Sequence, residues 1–163
     1  MELNKGDWVM HCAHGLGQVV GMDEQVKDGA KVTYYMVQLS DLTIWVPADE
    51  NLNSRLRFPS TRREFQKVLS ILSTKAEALP TDRRQRTLQV QETLRDGRTE
   101  SLCRVIRDLQ AVRGTKTWSE YDSALLKRAQ KTLVGEWSHV QSITAHEAEV
   151  QLSQSLRSEE RRV

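Results

Sequence analysis

Near the start of the chain, MHCAHGLGQVVGM (residues 10–22) sets His11, Cys12 and His14 within four positions and follows them with Gly15, Gly17 and Gly21. Imidazole, thiol and glycine at this density suit three chemistries: a metal centre, a thiol–imidazole nucleophile, or a phosphate-cradling loop. The first needs four ligands, and the segment offers at most three, with no second Cys/His pair elsewhere at a familiar spacing. The second needs a base within reach of the nucleophile and an acid that orients it. Residues this close on a strand alternate faces, and no such acid stands at a suggestive distance. The third needs glycines that open a helix, whereas these lead into a β-rich run and no Gly-Lys-Ser/Thr follows. What remains is a turn between two strands, with Cys12 and Cys103 as buried free thiols. No catalytic residue, metal or cofactor is expected.

A second chemistry is cationic. Residues 61–86 hold seven basic side chains (Arg62, Arg63, Lys67, Lys75, Arg83, Arg84, Arg86) against three acidic ones, and Lys127, Arg128 and Lys131 form a further cluster. Residues 1–60 carry a net charge of −3 and residues 61–163 one of +5, so the two parts differ in sign. Guanidinium and ammonium groups gathered in this way can track a phosphodiester backbone. A solvated helix face gives the same pattern.

The elements that must position these groups have two textures. Through Val46 the chain is β-like. Trp8–Met10 reads as a strand, Gly15–Gly17 as a turn, and Gln18–Met22 as the next strand. Asp28-Gly29 marks a tight hairpin, KVTYYMVQL and LTIWVP follow as strands, and Pro47 ends the last. Strands so short cannot cover both faces of an open sheet, so a small curled or barrel-like domain is expected over residues 1–58. After Pro59 the period becomes helical, with starts at Thr61/Glu64, Asp82/Gln85, Ser119/Asp122 and Thr144/Glu147, and an apolar stripe through Leu102, Val105, Ile106 and Leu109. About five helices are expected over 59–163, the last a short one fraying into RSEERRV. The fold class is α+β with segregated parts. No run of roughly 20 apolar residues is present, so no membrane span is expected. No secretory pattern stands at the N-terminus, and two distant cysteines suit a reducing cytoplasm.

KGDWVMHCAHGLGQVVGM, TYYMVQLSDLTIWVPADE, LRDGRTESLCRVIRDLQAV and LLKRAQKTLVGEW, in this order, resemble the CarD/CdnL family of bacterial transcription regulators over roughly residues 3–137. The resemblance implies a Tudor-like β-barrel that binds RNA polymerase through its β subunit, as in transcription-repair coupling factor. It also implies a helical domain that touches promoter DNA at the upstream edge of the melted region. The implied chain is non-enzymatic, cytoplasmic and nucleoid-associated, and monomeric. By the same resemblance, Gln25, Val26, Ile44, Trp45 and Val46 are the polymerase-binding residues, and Arg83, Arg84, Arg86, Lys127 and Arg128 the DNA-binding ones. Three positions depart from the pattern. Gln25 and Trp45 stand where relatives place basic residues, and Arg83 stands where many place a tryptophan wedge. Open-complex stabilisation is therefore expected to be weak. The alternative is a protein-interaction module that binds polymerase without touching DNA.

Overall fold

The structure, a computed structural model, describes residues 1–160. The chain divides into two compact units, Met1–Pro59 and a second beginning at Ser60.

In the first unit, β1 (Trp8–His11), β2 (Gly15–Lys27), β3 (Ala30–Gln38), β4 (Thr43–Pro47) and the two-residue β5 (Leu56–Arg57) form one antiparallel sheet in the order β4-β3-β2-β1-β5. The β2–β3 hairpin turns where expected, with Asp28 at φ 52° and Gly29 at φ 78°, the paired left-handed conformations of a tight primed turn. β2 is far longer than the sequence suggests, because Gly15–Gly17 belong to the strand and not to a turn and because residues 23–27 continue it to the hairpin. Gly17 is required by proximity: a Cβ there would lie 2.6 Å from Val37 Cγ1 and 2.9 Å from Leu39 Cδ2. A register shift between Val19 and Gly21 marks a bulge, which sharpens the local bend of β2.

The expected barrel does not close. β4 and β5 share no ladder, because the chain between them is taken up by the short helix α1 (Leu52–Arg55), and β5 has only two residues to offer. Arg55 bridges this side of the unit with its side chain instead, its Nη1 lying 2.6 Å from Asp49 Oδ1. One face of the sheet buries Val9, Val19, Tyr35, Val37 and Val46, with Leu3, Leu39, Leu52 and Leu56 closing the core.

In the second unit, α2 (Arg62–Leu69) runs into a 3-10 turn (Ser70–Ser73), followed by α3 (Arg83–Leu94), α4 (Thr99–Val112), α5 (Glu120–Gln141) and α6 (Ala145–Glu160). The expected caps are in place: Thr61 accepts from the Glu64 N–H, Asp82 from Gln85, and Ser119 and Asp122 form a reciprocal capping box. α4 is the central helix, burying Leu102, Val105, Ile106 and Leu109 against Leu126, Leu133 and Trp137 of α5. The Phe65 and Trp137 rings meet edge to face at 5.7 Å. α6 is not short: its 16 residues bury Ala148 and Leu152 in the same core. Of the tail expected to fray, the last three residues lie outside the described ones.

Candidate functional site

The first segment resolves as a turn built around one imidazole. His11 Nδ1 accepts from the N–H groups of Ala13 (3.0 Å) and His14 (3.2 Å), closing the loop between β1 and β2. His14 stacks at a tilt, ring centroids 5.0 Å apart. Burial, with His14 second, pulls the His11 imidazole below its ordinary pKa. Cys103 is the buried thiol expected, and burial pushes its pKa up to about 12. Cys12 is only half-buried. Among the described residues no group of three His, Cys, Asp or Glu side chains is placed to hold a metal.

β4 forms one edge of the sheet. Leu39 N–H donates to Leu42 O and Ala48 N–H to Thr33 O at the two ends of the β3–β4 ladder. Counting in twos between them, the main chains of Ile44 and Val46 bond to β3, and those of Thr43 and Trp45 face away from the sheet. The same period divides the side chains. Val46 is 2% exposed in the core and Ile44 packs against that core, so both side chains point inward. Thr43, unremarked in the sequence, joins Trp45 instead, since only ladder parity reveals which main-chain groups stay open.

Trp45 is 46% exposed on the outer face. Its Nε1 donates to Asp23 Oδ2 at 3.2 Å, and Gln25 Nε2 donates to the same oxygen at 3.1 Å. Two positions where the resemblance implies basic side chains thus carry neutral donors, both directed at an aspartate. Val26 projects beyond them into solvent. Beside the β4 edge lies a groove of about 550 Å³, lined by Thr43, Trp45, His11, His14 and Arg55.

In the helical unit, the expected arginine cluster separates. Arg86 is 1% exposed, and its guanidinium holds Asp122 through two bonds (Nε–Oδ1 2.9 Å, Nη2–Oδ2 2.7 Å) and the carbonyls of Thr117 and Pro80 through others. It is a buried strut and not a surface cation. Asp122, held below the usual carboxylate range by the Arg86 bonds, is its counter-charge. The sequence hides this because an arginine in a basic run reads the same whether it faces water or a carboxylate 36 residues away.

Arg83 and Arg84 remain exposed in the first turn of α3, Arg83 Nε donating to Thr117 O at 3.0 Å. Cations there oppose the helix dipole, so they do not serve the stability of α3. Lys127 and Arg128 are exposed on α5, roughly 8 Å beyond Asp122 at the rise of a helix. Arg107 and Asp108, in the VIRDL stretch, are buried. Arg107 reaches Thr74, and Asp108 accepts from the Glu77 N–H, so this stretch fixes the loop ahead of α3. Glu136 is likewise fully buried, accepting from Ser60 N–H (2.9 Å) and Thr99 Oγ1 (2.8 Å).

Comparison with known families follows the same division. Residues 67–153 match the CarD C-terminal domain, and residues 3–57 the domain shared by CarD-like proteins and the RID of TRCF. The chain belongs to the CarD family. A relative in Bacillus subtilis strain 168, described as "Putative transcription factor YdeB", is 21% identical over 141 residues, spanning 85% of this chain and 92% of that protein. The family is one of transcription regulators, and membership supports that role for this chain. No helix among its described residues is long and apolar enough to cross a membrane.

Proposed function

We propose that this CarD-family regulator binds RNA polymerase, through the β subunit, with the open edge of β4, and rests its helical unit on promoter DNA at the upstream edge of the bubble. The observation that carries the reading is that edge: outward main-chain groups at Thr43 and Trp45, with an exposed indole beside them. Such an edge accepts an extended strand, main-chain bonds giving affinity and alternate side chains specificity. Trp45, Gln25 and Val26 supply the specificity in a form that is neutral and aromatic. Tryptophan concentrates binding energy at interface centres without needing a charge.

On the DNA side, Arg83, Arg84, Lys127 and Arg128 are the phosphate contacts. Holding polymerase and promoter together shifts the closed-to-open equilibrium only as far as one state is bound better than the other. Arg83 cannot wedge into an unstacked step as an indole does, so the shift is small. The protein acts as a cytoplasmic, nucleoid-associated monomer and needs no cofactor.

A second reading, a polymerase-binding module that makes no DNA contact, is favoured by one observation: the burial of Arg86, which leaves fewer free cations than the sequence offers. Salt dependence separates the two. Neutralising phosphates gives DNA affinity a steep fall with salt, and a module without DNA contact shows none.

A further inference from the structure

The turn that closes β1 onto β2 also fixes the tautomer of His11. With Nδ1 accepting from two main-chain N–H groups, the imidazole is neutral and carries its proton on Nε2. Nε2–H has no hydrogen-bond partner among the described residues, and the ring lines the groove beside Thr43 and Trp45. A donor fixed in type by the fold therefore stands across from an open main-chain edge. The remaining charge in the groove is balanced, because Arg55 is paired with Asp49. The neighbours of His11 in the ladders, Gly15 and Leu56, bear none.

We propose that His11 is a specificity residue of this groove, its Nε2–H donating to an uncharged acceptor, a main-chain carbonyl or a side-chain amide oxygen, on the extended polypeptide strand that pairs with β4. This rests on the reading of β4 as the docking edge. A carboxylate is the poorer occupant, since it favours imidazolium, and imidazolium has no Nδ1 lone pair for the turn. Docking therefore weakens on acidification. Protonating His11 breaks both turn bonds. The groups that line the groove with His11 are His14 from the turn, Arg55 from α1 with its partner Asp49 from the preceding loop, and Trp45 from β4.

The test is the affinity of the full chain for purified RNA polymerase at about pH 7.5 and about pH 5.5. His11→Asn keeps an acceptor where Nδ1 lies and deletes the distal donor. Thr43→Pro removes one outward main-chain N–H. The expected result is about tenfold weaker binding by each variant at the higher pH, with the wild type weakening in acid and the Asn variant weakening much less. An Asn variant that binds like wild type, or that keeps the full wild-type pH dependence, overturns the role of His11 and leaves the edge reading standing. A Thr43→Pro variant that binds like wild type removes the edge reading and this proposal with it. Nitrogen chemical shifts of the imidazole in the free wild-type chain give a check that needs no variant: His11 found with its proton on Nδ1 overturns the proposal.

Discussion

Arg86 and Asp122 face each other through two hydrogen bonds with both side chains 1% exposed, so the start of α3 is pinned to the capping box of α5 by a pair no water reaches. Removing one partner strands the other charge in a dry site. Arg86→Ala is expected to destabilise the chain by about 3–5 kcal/mol, and Asp122→Asn by a similar amount. Urea titrations of both variants check this. Asp122 has its pKa lowered in the folded state. Its contribution is therefore present above the ordinary aspartate range and is lost as pH falls through the lowered value. Wild-type stability should drop more steeply in acid than that of the Asn variant.

Gly17→Ala is expected to cost about 1–3 kcal/mol, because the added methyl group meets Val37 and Leu39 inside the sheet core. Thermal melting is the measurement. Gly21→Ala, where a Cβ meets nothing within 4 Å, is the control and should melt close to wild type.

Arg83→Trp is expected to lengthen the life of the open complex, since an indole can hold an unstacked base step and a guanidinium holds it less well. Permanganate reactivity of the melted region, followed over time after a competitor is added, reads the effect. No gain from the substitution would sink the link between Arg83 and weak opening.

Arg84→Ala and Arg128→Ala are each expected to lower promoter affinity uniformly across sequences and to flatten the plot of log affinity against log salt by about one unit. Titrations at several salt concentrations decide it. Unchanged slopes would favour the polymerase-only reading.

Local patterns carried much of this architecture. Asp28-Gly29 announced its hairpin, and Thr61, Asp82, Ser119 and Thr144 announced four helix starts, because a cap and a primed turn are each decided within a few residues. Non-local pairing is where the reading ran short. Whether β4 meets β5 depends on how much room α1 occupies, and nothing within LTIWVP records that. The candidate site divides in the same way. Trp45 and Arg83 were legible as departures from a family pattern. The burial of Val46 and Arg86 and the openness of Thr43 depend on strand parity and on a carboxylate far along the chain. Ile44 fell on the inward side by the same parity.

An uncapped sheet margin cannot distinguish a foreign strand from one belonging to another copy of the same molecule, apart from the side chains beside it. β4 restrains this hazard by its length: five residues, two outward-facing amide hydrogens at Thr43 and Trp45, and Pro47 at the far end with none to give. Extending the strand, or replacing Pro47 by an ordinary residue, would lengthen the adhesive margin and drive concentrated solutions toward edge-to-edge association. The shortness of β4 thus limits how much of the open margin a second copy can occupy.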